Sequence, residues 1–231
     1  AHNANCGAAF KSYFYRTTMK RPGPLLVLLF LSLLASSPAA PTGERTLILV
    51  SIDAFRWDYL QKYAAPTLNR LAAEGVHATR MTSCYPTKTF PNHYSIVTGL
   101  YPDHHGIVSN YFYDPALHAS FNKNLAADNA DSRWWQEGEP IWITAERQAV
   151  RSASMFWPGD EAENHGRRPT YYLNYDKHHD SNARVDQILT WLARPADQRP
   201  RFCALYLEVV DNAGHKFGPD SPGTGAAVKE A

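Results

Sequence analysis

Thr46–Asp53 reads TLILVSID, a short apolar run with almost no polar interruption. A half-buried strand alternates polar and apolar residues, because successive side chains point to opposite faces. A nearly continuous run belongs to a strand covered on both faces, which predicts a central strand of a parallel sheet. Two similar runs lie downstream: SASMFW at 152–157, stopped by Pro158-Gly159, and RFCALYLEVVD at 201–211. Between them Val185, Ile188, Leu189 and Leu192 recur at helical spacing, a stripe that faces a core. Pro66 opens another helix, which carries Leu68, Leu71 and Ala72 and closes at Gly75. VHATRM at 76–81 is expected to be a second strand, and Tyr111 to Gly138 a loop-rich excursion. Strands alternating with helices predict an α/β fold with a largely parallel sheet flanked by helices. The closing SPGTGAAVKEA, 221–231, starts a helix with nothing evident to pack against. The sheet is therefore expected to be incomplete at the C-terminus. Such a chain is expected to fold poorly, because strands meant to be central become exposed edges.

The chain has 231 residues, 44% of them apolar and 13% aromatic, with a formal net charge of +1. That composition is globular and carries no electrostatic footprint for a nucleic-acid duplex. Met19, Lys20 and Arg21 precede an apolar run from Leu25 to Ala35, followed by Ser37-Pro38-Ala39. This order is that of a secretory signal peptide over 19–39, and its core is too short to span a membrane. Residues 1–18 then read as a non-native upstream extension, and 40–231 as the mature part. Cleavage after Ala39 would remove four basic residues and no acids, leaving a net charge of −3. No cysteine follows the apolar run, so no lipid or other stable membrane anchor is expected. The product would be exported, periplasmic or secreted. Of the three cysteines, Cys84 and Cys203 remain after processing; they are either buried hydrophobes or a pair. The oligomeric state is not legible.

A second stretch carries chemistry. Tyr85–Gly99 reads YPTKTFPNHYSIVTG. Pro91 suits a first helical turn, and Thr89 stands where an N-cap belongs. Tyr94, Val97 and Thr98 come next at helical spacing, and Gly99 is the stop. A hydroxyl at a helix N-terminus sits at the positive end of the dipole, a place to hold an anion or to become one. Asp53 and Asp211 each end an apolar run, and ligands of open α/β sheets bind outside the carboxyl ends of the strands. If the segment after Asp211 is helical, His215 shares its face, and a carboxylate with an imidazole is an ordinary metal-ligand pair. Each signal alone is weak: a strand-end Asp is commonly a cap, and D-x-x-x-H is commonly a surface ion pair. Together they place two acids, a His and a Thr at one sheet edge. His93 is expected to support the helix start, His104-His105 to lie in a turn, and His178-His179 in a solvated loop.

These residues sit in longer blocks: SIDAFRWDYL, YPTKTFPNHYSIVTGLYPDHHGIVSN, RWWQEGEPIWITAERQ, SMFWPGDEAE and LYLEVVDNAGHKFGP. The blocks resemble the nucleotide pyrophosphatase/phosphodiesterase family of the alkaline phosphatase superfamily, in a bacterial exported form, over Thr46 to Pro222. The resemblance implies that Thr89 is a nucleophile forming a covalent nucleotidyl intermediate. It implies two Zn2+, with Asp53 and Thr89 as ligands of one and Asp211 and His215 as ligands of the other. Asn110 matches a donor to a non-bridging phosphate oxygen. Phe90 and Tyr206 match aromatics that line a base pocket, and Tyr172 and Tyr175 lie near a further stacking position. The family's Asp-His-Gly pair and a later His are absent, so the ligand set is incomplete. Residues 40–231 are thus expected to be the N-terminal part of a catalytic domain, truncated at its C-terminus.

The resemblance implies hydrolysis of nucleotide phosphodiester or pyrophosphate bonds, releasing nucleoside 5′-monophosphates, with a nucleotide or dinucleotide as the small-molecule partner. Two alternatives stay open. One keeps the fold and gives it a different substrate: a phospholipid head group, a phosphonate or a phosphomonoester. The other makes the chain an inactive fragment with weak nucleotide or metal binding. CYPTK, Cys84–Lys88, also resembles a sulfatase Cys-x-Pro motif, but its last residue is Lys rather than Arg and Thr89 has the better context.

Overall fold

The computed structural model describes residues 45–231. The expected signal peptide, 19–39, and the upstream segment, 1–18, lie outside the described residues. The first strand, β1 (Leu47–Ile52), is followed by a short helix α1 (Tyr59–Lys62) and by α2 (Pro66–Glu74). Next come α3 (Thr89–Thr98), α4 (Pro102–His105), a hairpin of β2 (Tyr111–Asp114) and β3 (Ala119–Asn122), and α5 (Ala126–Ala130). A 3-10 turn at Ser132–Trp135 leads to α6 (Ile141–Arg147), β4 (Ser152–Met155), β5 (Tyr171–Leu173) and α7 (Ser181–Leu192). The chain continues with β6 (Phe202–Leu207), α8 (Val209–Phe217) and α9 (Pro222–Glu230). The main sheet has the order β1-β6-β4-β5, and every pairing in it is parallel. The fold is the expected α/β arrangement.

All six side chains of β6 are buried, because it is covered on both faces. Phe202, Ala204 and Tyr206 point to one face and pack with Tyr94, Trp135, Trp142 and Trp157. Cys203, Leu205 and Leu207 point to the other, against Ile188 and Trp191 of α7. Each fully buried large apolar side chain contributes roughly 1.5–3 kcal/mol, so these two layers hold the sheet. A third cluster joins α1, α8 and α9 through Tyr59, Val210, Ala213, Ala227 and Val228.

Among the described residues β1 pairs with β6 alone and forms an edge of this sheet, with Leu47, Ile48 and Val50 exposed, as expected of a central strand in an incomplete sheet. The structure corrects several other readings. Residues 76–81 form no strand and are exposed throughout. No ladder partner lies beside them among the described residues. The third run stops at Leu207, so Asp211 lies in the first turn of α8 rather than at a strand end. The excursion at 111–138 contains the β2–β3 hairpin, α5 and the 3-10 turn. The terminal segment does find a partner: Thr224, Ala227 and Val228 are buried as α9 packs on α8. Cys84 and Cys203 are free thiols, half-buried and buried.

Candidate functional site

Helix α3 begins at Thr89 itself. Lys88 is its extended N-cap residue (φ −126°, ψ 156°), so Thr89 is the first helical residue rather than the cap. Pro91 falls inside the first turn, where a missing N–H costs no intrahelical bond. The loop before the helix is pinned by Asn92. Its Nδ2 donates to the carbonyls of Pro86 and Lys88, both at 2.9 Å, and its Oδ1 accepts from Cys84 N at 2.8 Å.

Asn110 reaches the same point from further along the chain. Gly99 and Gly106 both adopt left-handed φ values, 71° and 80°, and end α3 and α4 with sharp reversals. The chain then returns along α3, and Asn110 Oδ1 accepts from Phe90 N–H at 3.0 Å. A backbone N–H only donates, so this contact identifies the oxygen and turns Nδ2 outward. Among the described residues no hydrogen bond occupies Asn110 Nδ2 or Thr89 N–H. Two donors therefore remain near the Thr89–Phe90 peptide, at the positive end of a ten-residue helix. The Phe90 ring packs on Phe121 and Trp135.

His93, one turn into α3, is buried. Its Nδ1 lies 2.7 Å from the Thr89 carbonyl and its Nε2 lies 2.8 Å from Ser51 Oγ. A carbonyl only accepts, so Nδ1 carries the proton and Nε2 accepts from the serine. Burial lowers the imidazole pKa, which keeps it neutral against the pull of Asp53 and Asp211. His105, expected in a turn, sits on α4 and is also fully buried, bonded to Ser95 Oγ at 2.9 Å.

The acidic side of the site comes from the end of β1 and the first turn of α8. Asp53 Oδ1 accepts from Ala54 N at 2.9 Å, and its Oδ2 accepts from the Tyr206 hydroxyl at 2.8 Å. Ala54 is left-handed (φ 56°), an uncommon conformation for a residue with a Cβ, and turns the chain sharply away. Tyr206 is only 7% exposed, and burial and the Asp53 charge raise its pKa far above the ordinary phenol value. In α8, Asp211 and His215 share one face, with Nε2 3.5 Å from Oδ1. Burial, and after it the charge of Asp53, raises the Asp211 pKa.

A carboxylate whose ionisation is disfavoured by burial and by a neighbouring carboxylate, with an imidazole beside it, is relieved by a cation. In donor chemistry the site fits a divalent metal. Among the described residues, however, no group of three or more His, Cys, Asp or Glu side chains converges on one point. Asp53, Asn92, His93, Asp211 and His215 line a cavity of about 820 Å3, to which His77 to Arg80 also contribute.

The two further tyrosines are engaged elsewhere. Arg168 lies over the Tyr172 ring, and Tyr175 packs on Phe156 and donates to Glu208 Oε1 at 3.1 Å. No hydrogen bond or ring contact among the described residues links either to Thr89, Phe90 or Asp53. Ser51 was missed as a site-supporting residue, since nothing marks a serine inside an apolar strand. For Tyr206 only the ring was anticipated, not the hydroxyl on Asp53.

Residues 47–231 match the family model described as type I phosphodiesterase / nucleotide pyrophosphatase. An uncharacterized pyrophosphatase/phosphodiesterase of Schizosaccharomyces pombe is 46% identical over 187 residues, which cover 81% of this chain and 39% of that protein. A venom phosphodiesterase of Crotalus durissus collilineatus is 46% identical over 193 residues, covering 81% of this chain and 23% of that protein. Murine ectonucleotide pyrophosphatase/phosphodiesterase 5, solved in an inactive threonine-to-alanine form in complex with AMP, superposes with a TM-score of 0.76 at 39% identity. That match covers 80% of this chain and 49% of the murine chain, so the present chain spans less than half the length of each of these relatives.

Proposed function

The chain belongs to the type I phosphodiesterase / nucleotide pyrophosphatase family, and from that premise we propose that the protein hydrolyses phosphodiester or pyrophosphate bonds of nucleotides. The observation that carries the reading is the position of Thr89 at the mouth of α3, with Asn110 held on the next amide, Phe90 N–H. The murine relative, inactive as a threonine-to-alanine form and holding AMP, supports both the nucleophile and the nucleotide.

Thr89 Oγ1 attacks phosphorus in line with the leaving oxygen, forming a threonyl-nucleotidyl ester as the bond to the leaving group breaks. Asn110 Nδ2 and Thr89 N–H donate to a non-bridging oxygen, where negative charge develops. Water then cleaves the ester, releases a nucleoside 5′-monophosphate and returns Thr89 to its hydroxyl form. Asp53 with Thr89, and Asp211 with His215, are the residues that would hold two zinc ions, which when bound supply a lowered threonine pKa and neutralisation of the phosphoryl charge. Tyr206 holds one oxygen of Asp53 and Ala54 N–H the other, which orients the carboxylate. Phe90 offers an apolar surface beside the nucleophile for the base. Export under the 19–39 signal peptide fits action on nucleotides outside the cytoplasm. No helix among the described residues is long and apolar enough to cross a membrane.

The test is hydrolysis of a nitrophenyl ester of thymidine 5′-phosphate by the complete protein. Metal-dependent turnover that is lost in Thr89→Ala and inhibited by AMP is expected. Turnover that survives Thr89→Ala, or that AMP leaves untouched, would sink the reading.

A further inference from the structure

We propose that His93 is a positioning residue which, with Asn110, locks the Thr89–Phe90 peptide unit from both ends; this rests on the reading of Thr89 as the nucleophile. A peptide unit is planar and carries one acceptor and one donor. The acceptor, the Thr89 carbonyl, takes His93 Nδ1–H at 2.7 Å, and the donor, Phe90 N–H, goes to Asn110 Oδ1 at 3.0 Å. With both polar atoms held by side chains the plane cannot tip. The Cα–Cβ bond of Thr89 then has one direction, and only rotation about χ1 separates it from the position of Oγ1.

Helix formation does not call for this bond. In α-helical geometry the Thr89 carbonyl already faces the amide four residues on. The imidazole adds a second donor to an oxygen that has two lone pairs.

The ring is itself fixed from several sides. Ser51 Oγ donates to Nε2 at 2.8 Å, and the Trp157 indole N–H donates to the His93 carbonyl at 2.9 Å. Tyr206 and Trp157 meet the ring edge-on at 4.9 and 5.4 Å. Ser51 stands two residues before Asp53 on β1, and Tyr206 donates to Asp53 from β6. One buried ring thus ties the backbone of Thr89 to both elements that hold Asp53. Histidine suits the place because a single tautomer offers a donor to a carbonyl and an acceptor to a hydroxyl.

Two substitutions separate the ends of the ring. His93→Asn places an amide near Nδ1, within reach of the Thr89 carbonyl but not of Ser51. His93→Gln reaches toward Nε2 and Ser51 but not the carbonyl. In the complete, metal-loaded protein, with the same nitrophenyl ester, His93→Asn should keep kcat within about fivefold. His93→Gln should lose roughly 30- to 100-fold, the scale of a misplaced reacting group, with KM within about threefold in both.

Thr89→Ala is measured alongside. Activity retained there overturns the functional reading, and this inference with it. Activity abolished by Thr89→Ala, with His93→Gln as fast as His93→Asn or faster, overturns the positioning role alone. So would a loss carried mainly by KM, or a cooperative melt missing in both His93 variants, which would make His93 a core residue only.

Discussion

Asn110→Asp separates two functions of one side chain, and they should move in opposite directions. Asn110 Oδ1 accepts from Phe90 N–H at 3.0 Å, while Nδ2 is directed away from that contact. Aspartate keeps the acceptor and loses the donor. For stability, its carboxylate faces the positive end of α3, which favours the folded state by about 0.3–1 kcal/mol. For turnover, losing one donor to the developing charge costs about 2.7–4 kcal/mol, or about 100- to 1000-fold in kcat, and the added negative charge repels the phosphate besides. Asn110→Ala removes both functions. Phe90 N–H then loses its partner, at a stability cost of about 1–3 kcal/mol, with a similar loss of kcat. Urea unfolding monitored by tryptophan fluorescence gives the first quantity, since Trp134, Trp135, Trp142 and Trp157 are all buried probes. Hydrolysis of the nitrophenyl ester by the complete protein gives the second. Asn110→Asp turning over within about fivefold of the unaltered enzyme would refute the donor role. Asn110→Asp losing as much stability as Asn110→Ala would refute the placement of its oxygen on Phe90.

Asp160 is fully buried and accepts from Ser154 Oγ at 2.7 Å and from Trp157 N at 3.0 Å, and burial pushes its carboxyl up to about 8. An unfolded aspartate titrates near ~3.9, so the folded state holds an extra proton across the interval, and stability falls as pH rises from roughly 4 to 8. The melting temperature should drop over that range, and Asp160→Asn should flatten the profile; an unchanged slope in the variant would assign the dependence elsewhere. Arg184, buried at 3% exposure, donates to the carbonyls of His179 and Tyr206 and pairs with Glu208. Arg184→Leu strands a partly buried carboxylate and should cost about 3–5 kcal/mol in urea titrations with an unchanged m-value; a loss under about 1 kcal/mol would mean that Glu208 finds water instead. Burial pushes the Cys203 thiol up to about 11, so at pH 8 peptide mapping after brief alkylation should find Cys203 unlabelled in the native protein and labelled in urea. Native labelling of Cys203 as fast as Cys84 would contradict that burial.

The fold was legible where one local rule decided the element. The stripe from Val185 to Leu192 does lie on a helix, with Ile188 buried and Leu192 partly so against the same cluster, but Val185 and Leu189 are exposed and Trp191 takes the core-facing place instead. The run at 202–207 is a strand covered on both faces. Gly99 ends α3 because its φ of 71° is open to glycine at little cost. Legibility failed where an element's state depends on a distant partner. Among the described residues VHATRM finds no ladder, and TLILVSID, with the composition of a central strand, has a neighbour on one side alone. The terminal helix was misread for the converse reason, since its cover is α8, whose own start was hidden inside an apolar run.

The site shows the same limit at the scale of single atoms. Residue types were readable: a Thr at a helix start, acids near strand ends, an i, i+4 Asp-His pair. Their coupling was not, because it arises from register. Parallel pairing sets Ser51 level with Tyr206 and Ile52 level with Leu207, and Asp53 N then donates to the Leu207 carbonyl at 2.8 Å. The two strands therefore end together. The segments after them leave the sheet from the same edge: Asp53 directly from β1, and Asp211 after the short turn into α8. Because side chains alternate along β6, Tyr206 falls on the face that α3 covers, where its ring meets His93 and its hydroxyl reaches Asp53. A slip of one residue would send Tyr206 to the α7 face and leave both Asp53 and His93 without it. The chemistry of this corner thus depends on the apolar pattern that sets the register of β1 and β6 as much as on the polar residues that carry it.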